Sequence, residues 1–190
     1  ANALTKKSAE LFPKFSKVKE FYLVGGTALA LQIGHRLSVD FDFFSEHELP
    51  GNILQRVKLV FPDSTIAVTY RSQDQLNVLI DNIKITFLYY PYPLLEPCQI
   101  YQNIPIASLS EIAAMKALAI GRRLSYKDYV DWYFLLKGGY VTLDGVITLS
   151  KRKFGKEFND RLFLGQLVSI VDIPIQKIDF LRSDVSSASI

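Results

Sequence analysis

The chain has 190 residues, of which 49% are hydrophobic and 13% aromatic, and its 22 basic against 19 acidic residues give a formal charge of +3. That is enough apolar material for a packed core, too much for a disordered chain, and too small a cationic excess to announce nucleic-acid binding by charge alone. With Cys98 as the lone cysteine no intrachain disulfide can form, and with neither a signal-length apolar run near Lys7 nor a stretch approaching the ~18 apolar residues of a membrane span, a cytoplasmic protein without membrane contact is expected.

From Leu4 to Lys19 the residues Leu11, Phe12, Phe15 and Val18 recur at helical spacing, with Pro13 set to bend or restart the helix. Phe21 to Val24 is a short apolar strand that ends at Gly25-Gly26, and Thr27 to Gly34 has the Ala/Leu content of a helix with Thr27 near its amino end. Ser38 to Phe44 alternates and reads as a strand: Ser38, Asp40 and Asp42 fall on one side, Val39, Phe41 and Phe43 on the core side. Pro50-Gly51-Asn52 introduces a helix to about Val60, closed by Pro62. Thr65–Tyr70, Leu76–Ile80 and Ile83–Tyr90 are predicted strands, the last two joined by a two-residue hairpin turn at Asp81-Asn82.

After Pro91-Tyr92-Pro93 and a proline-containing connection to Pro105, the periodic segments turn helical, which puts a boundary near Ser108. Ser108 or Ser110 caps a helix to about Arg123; Tyr126–Lys137 follows and stops at Gly138-Gly139; Thr142–Phe154 and Asn159–Val171 complete the set. Ile173–Leu181 is ambiguous, and Ser183–Ile190 is a small, polar tail. The result is an α+β chain, a sheet-bearing part over 1–107 and a helical part over 108–190.

Two features combine into a candidate site. A glycine pair ahead of a helix lets backbone amides approach a phosphate, aided by the positive end of the helix dipole. Asp40 and Asp42, with no basic residue between them, repel unless a cation neutralises them, and hard ions such as Mg²⁺ take carboxylates and phosphates together. Alone, Gly-Gly is most often a tight turn and paired acids most often decorate a wet strand face. Side by side, one helix apart, they point to a metal–nucleotide site.

The Gly25-Gly26-Thr27-Ala28-Leu29 turn, the strand Arg36-x-Ser38-x-Asp40-x-Asp42-Phe43-Phe44 and the segment Lys127-Asp128-Tyr129-Val130-Asp131 together resemble the AbiEii/AbiGii nucleotidyltransferase toxin family, part of the DNA polymerase beta-like nucleotidyltransferase superfamily. The resemblance extends over most of the chain, including Tyr90–Leu95 and the helix Lys116–Arg123. It implies a nucleotidyltransferase-like mixed sheet flanked by helices, with the part after residue 107 closing the nucleotide cleft. It implies catalysis by Asp40, Asp42 and Lys116, with Mg²⁺ or Mn²⁺ on Asp40 and Asp42. Gly25, Gly26, Thr27, Ser38 and Lys116 would bind the nucleotide, and Arg36 and Asp128 would support the site. The implied reaction moves a nucleoside monophosphate from a nucleoside triphosphate to a hydroxyl on RNA, such as a tRNA, or on a protein. The implied setting is a bacterial toxin–antitoxin pair with a cognate antitoxin.

One departure stands out. The superfamily's third carboxylate is expected on the strand after the hairpin, where Thr86 stands, and a hydroxyl cannot serve as general base at neutral pH. The alternative is therefore a catalytically degenerate nucleotide- or RNA-binding module of the same fold. Elsewhere, Asp128 and Asp131 share a helix face and could pair with Lys116, Arg122 or Arg123 as an interhelical scaffold. Lys151-Arg152-Lys153 with Lys156 and Arg161 is the densest basic cluster, more often a solvated helix end than an RNA contact. His35 and His47 lack partners at metal spacing and read as surface or packing residues, Cys98 has no local catalytic partner, and Trp132–Leu136 reads as core.

Overall fold

In the computed structural model, which describes residues 3–120, 125–169 and 173–182, the predicted order of elements is largely met. Thr5 caps α1 (Lys6–Leu11) by accepting the Ser8 amide at 3.2 Å, and Pro13 turns the continuation into a 3₁₀ segment (Phe12–Lys17). Then come β1 (Tyr22–Val24), α2 (Gly25–Ile33), β2 (Phe41–Ser45), α3 (Ile53–Val60), β3 (Ile66–Arg71), β4 (Gln75–Ile80), β5 (Ile83–Tyr89), β6 (Gln99–Tyr101) and β7 (Ile104–Ile106). The helices α4 (Leu109–Ile120), α5 (Tyr126–Lys137), α6 (Leu143–Phe154) and α7 (Asp160–Leu167) follow.

Among the described residues the strands form one mixed seven-stranded sheet in the order β3-β4-β5-β2-β1-β7-β6, with β2/β5 and β1/β7 parallel and the other pairs antiparallel. Alternation divides its faces. Leu23, Phe41, Phe43, Val78, Ile85 and Phe87 lie buried, and on that side Phe15 meets Phe41, Phe43 and Phe61 at ring separations of 5.4, 4.8 and 4.9 Å. The opposite face carries Val24, Asp42, Thr86 and Asn77 in one register row. On the helical side α4 packs against α2, α5, α6 and α7.

Two local expectations change. The acidic strand starts at Phe41, not Ser38, and Val39 is 42% exposed instead of facing the core. The cause is competition for the backbone. Residues 35–38 run between the two ends of the chain, Ser38 N donating to Ala3 O (2.9 Å), Leu37 N to Asp179 O (2.8 Å) and Leu181 N to His35 O (3.0 Å). The segment before Pro105 also holds the β6–β7 hairpin, where Gln102 and Asn103 take φ of 50° and 63°; the Asp81-Asn82 turn, at 51° and 69°, is as expected.

The basic cluster at 151–153 dissolves in three dimensions. Lys153 is buried, with its ammonium 2.7 Å from Glu111 Oε2 and 2.5 Å from Pro93 O, while Lys151 pairs with Asp160 on the surface. Glu111 also accepts the amides of Leu95 (2.6 Å) and Glu96 (3.1 Å), so one carboxylate joins α4, α6 and the 93–96 loop. Ser108 caps α4, accepting the Glu111 amide at 3.2 Å.

Glu111→Ala should lower stability by about 3–5 kcal/mol in urea denaturation, because it strands a buried ammonium and two amides. Glu111→Gln combined with Lys153→Met keeps an acceptor for the amides and buries no charge. It should recover most of that loss.

Candidate active site

No loop separates β1 from α2: Val24 is extended, Gly25 opens the helix, and no side chain caps its first turn. The leading N–H groups of α2 therefore have no helical acceptor and sit at the positive end of the helix dipole. The two glycines serve close approach. Gly25 has φ +71°, and a Cβ there would lie 2.8 Å from Asp42 Oδ2; a Cβ on Gly26 would run into Arg36 Nη2. A carboxylate and a guanidinium thus lie directly against the backbone of the helix start.

Asp42 is half-buried and stands in register between Val24 of β1 and Thr86 of β5. Thr86 thus occupies the neighbouring-strand position at which the family resemblance places a third carboxylate. Asp40, exposed just ahead of β2, is placed by hydroxyls: Thr27 donates to the Asp40 carbonyl and in turn accepts from Ser38 at 2.7 Å. Thr27 is buried, so its hydroxyl is committed to the Asp40 turn, and its amide is the group that shares the helix start.

Behind this edge lies a buried charge network. Asp131 accepts Arg36 Nε (2.7 Å) and Nη2 (3.0 Å), and also His35 Nε2 (2.7 Å); Lys116 Nζ lies 2.7 Å from Asp131 and 2.6 Å from Asp128. Burial alone would raise the Asp131 pKa, yet Lys116 and Arg36 hold it far below the usual carboxylate range. Burial also disfavours the Lys116 ammonium, but Asp131 and Asp128 keep its pKa above the usual lysine range. His35 goes the other way: burial lowers its pKa in spite of Asp131. It is neutral near pH 7, with Nε2 donating to Asp131 and Nδ1 unpartnered among the described residues. The expected interhelical scaffold is present, and His35 belongs to it instead of to the surface.

A cleft of about 890 Å³ gathers these groups, with Gly25, Gly26, Asp40, Asp42, Thr86 and Lys116 all in its wall. Thr27, Arg36, Ser38 and Asp128 reach it too, as does Lys127 of the family-like segment, together with Lys84 and Lys177, which sequence reasoning did not single out. Lys84 could have been found from strand parity alone, being two residues from Thr86 on the same face. Lys177 arrives on the C-terminal segment that pairs with 35–37, for which the sequence carries no signal. Trp132 is core, His47 and Cys98 stay outside the cleft, and Arg122 and Arg123 lie outside the described residues.

Residues 9–185 match the family described as nucleotidyl transferase AbiEii toxin of type IV toxin–antitoxin systems. An uncharacterized protein of Aquifex aeolicus is 40% identical over 137 residues, 71% of this chain and 66% of its own, so the match spans just under two thirds of that relative. Among solved structures, a Helicobacter pylori protein assigned as a nucleotidyltransferase superposes with TM-score 0.60 at 19% identity, over 86% of this chain and 92% of its own. The Megavirus polyadenylate synthase superposes with TM-score 0.52 at 16% identity, over 70% of this chain and 31% of its own. At these identities the superpositions speak for the fold.

Asp131→Asn should cost about 3–5 kcal/mol by leaving Arg36 and Lys116 without their shared counter-charge. The unfolded chain takes up protons that folded His35 and Asp131 refuse. Stability should therefore fall with pH in two windows, first below about 6.5 and then below about 4, and be fully present above them. Thermal melts of His35→Gln should lose the upper step alone. Gly25→Ala should cost about 1–3 kcal/mol from its left-handed backbone and displace Asp42, read as lost stability together with weakened nucleotide binding.

Proposed function

Because the chain belongs to the AbiEii nucleotidyl transferase toxin family, we propose that it moves a nucleoside monophosphate from a nucleoside triphosphate to a hydroxyl on RNA or protein, as the toxin of a toxin–antitoxin pair with a cognate antitoxin. The observation that carries the reading is that Asp42 Oδ2 occupies the space a Gly25 side chain would need: an uncapped helix start and a carboxylate pair share one wall of one cleft. Phosphate binds where amides and a dipole converge, and a carboxylate placed there offers hard oxygens to a divalent cation that the phosphate also ligates.

The donor set fits a divalent ion of the Mg²⁺ or Mn²⁺ kind. Asp40 and Asp42 offer hard oxygens, and among the described residues no group of three or more His, Cys, Asp or Glu could hold an ion by itself. An ion here would complete its shell with water and substrate phosphates, as Mg²⁺ commonly does. When bound, it would supply Lewis acidity at the α-phosphate and lower the pKa of the acceptor hydroxyl.

The protein's own contribution is placement. Amides of Gly25, Gly26 and Thr27 take the β- and γ-phosphates, and Ser38 and Thr27 fix the Asp40 turn. Lys116 has two of its three donor directions on Asp128 and Asp131; the third serves a phosphate from the cleft wall. Arg36 backs Gly26, and Asp128 steadies Lys116. The helices after residue 107 close the cleft. As the acceptor oxygen bonds to the α-phosphorus, the bond to pyrophosphate breaks, and the hydroxyl proton leaves to water, since Thr86 presents no base.

A second reading, nucleotide or RNA binding without turnover, is favoured by Thr86 beside Asp42. Incubation with α-labelled triphosphates, cellular RNA and Mg²⁺ separates the two: label transfer supports the enzyme, and tight nucleotide binding with no transfer supports the module. Asp42→Asn should abolish both transfer and metal-dependent nucleotide affinity, and the site assignment fails if it abolishes neither. Thr86→Asp should speed transfer at neutral pH by about 10²-fold or more, the contribution of a positioned base. The unsubstituted protein should show a rate that keeps climbing through pH 7–9, with no plateau set by a carboxylate.

A further inference from the structure

Resting on the donor reading above, a triphosphate at the α2 start brings more negative charge than the buried network can meet. Arg36 and Lys116 are its cations, and Asp131 and Asp128 already balance them, with His35 neutral. The network therefore offers no net positive charge to a ligand. Holding the phosphates calls for a cation whose charge is not already committed.

Among the described residues three cleft-lining lysines have no carboxylate partner: Lys84, Lys127 and Lys177. Lys84 stands on β5, two strands from the β1 that runs into α2. Lys127 lies in the first turn of α5, beside Asp128. Lys177 is different, because its segment is bonded to the residues that back the glycine turn. Leu37 N donates to Asp179 O at 2.8 Å and Leu181 N to His35 O at 3.0 Å, with Arg36 and Phe180 paired between them in antiparallel sense. Arg36 is the residue whose guanidinium lies against Gly26. Traced back from Phe180, the same sense carries Lys177 toward Val39 and Asp40, and all three line the cleft.

Alternation decides which side chains of the segment face the ligand. Ile178 and Phe180 pack on the core, with the Phe180 ring 6.0 Å from that of Phe134, while Lys177 and Asp179 are exposed. Buried Ile173 at one end and Arg182 Nη1 donating to Tyr140 Oη at 3.3 Å at the other hold the segment in place. The ammonium is thus carried on a backbone fixed next to the helix start.

We propose that Lys177 is a substrate-binding residue: its ammonium holds the terminal phosphates of the nucleoside triphosphate and stays with them as pyrophosphate leaves. A compact charge on a flexible stem suits an anion that moves away during the reaction, and the exposed lysine gives up no ion pair to bind it. Asp179, on the same side of the segment, holds the backbone through its carbonyl and contributes no carboxylate contact to an anion.

The test uses the full chain with Mg²⁺ and calorimetric titration of ATP, GTP, CTP and UTP, their monophosphates, and inorganic pyrophosphate. Lys177→Ala should weaken triphosphate and pyrophosphate binding about 10-fold or more, the loss of one charge-assisted contact, and leave monophosphate affinity unchanged. Lys177→Arg should recover most of that loss. Asp179→Ala keeps the backbone bond and should not weaken triphosphate binding, so it controls for disturbance of the segment; thermal melts of all three variants should match the parent. Parental triphosphate and pyrophosphate affinity in Lys177→Ala overturns the proposal, as does an equal loss for monophosphates or an equal loss in Asp179→Ala. Asp42→Asn in the same titrations reports on the donor reading. Undiminished metal-dependent affinity in that variant sinks the donor reading, whereas a loss there with none in Lys177→Ala sinks the role of Lys177 alone.

Discussion

Asp131 is the point on which the site's architecture turns. A single buried carboxylate accepts from His35, Arg36 and Lys116, and so ties the exit of α2, the extended segment after it and α4 to α5. Burying such a group is costly unless its charge and both its oxygens are satisfied, and here the neighbours meet that condition with two cations and a neutral imidazole. The consequence is felt at the front of the site. Arg36 can press against Gly26 because Asp131 holds it from behind, and the Asp40 turn can follow because residue 36 is anchored.

The same economy of backbone explains why the glycines are where they are. Strand β1 passes straight into α2, so the helix start is delivered to the sheet edge at the register position of Asp42. Any side chain on Gly25 would meet that carboxylate, and any on Gly26 would meet the guanidinium. Function and packing therefore ask for the same residue type, which is why the Gly-Gly pair is informative in combination and weak alone.

What the sequence made legible follows from how local each signal is. Alternation in Phe41–Ser45 and the Asp81-Asn82 turn depend on neighbours a few residues away, and both were readable. The family resemblance rested on short motifs with fixed spacing, and it agreed with the family match over residues 9–185. The late start of β2 was not readable, since it depends on Ala3 and Asp179 taking the backbone groups of 37 and 38 from distant parts of the chain. Lys153 was misplaced for a related reason. Its run of lysines and arginine looks solvated, and only the arrival of Glu111 and the Pro93 carbonyl makes an inward ammonium tolerable.

Thr86 gains a different meaning once the register is known. As a missing base it is only a deficit, judged against enzymes that keep an acid there. In the row that runs Val24, Asp42, Thr86, Asn77, Tyr70, it marks the point at which the face changes from acidic to uncharged. On one side stand the uncapped helix start and Asp42; on the other the row carries a hydroxyl, an amide and a phenol. A third acid in that row would stand one strand spacing from Asp42, beside a carboxylate that already faces the helix start. Like charges a few ångströms apart in a partly dry cleft repel strongly. With a threonine there the row carries one carboxylate instead of two, which lowers the electrostatic cost of keeping Asp42 beside the helix start.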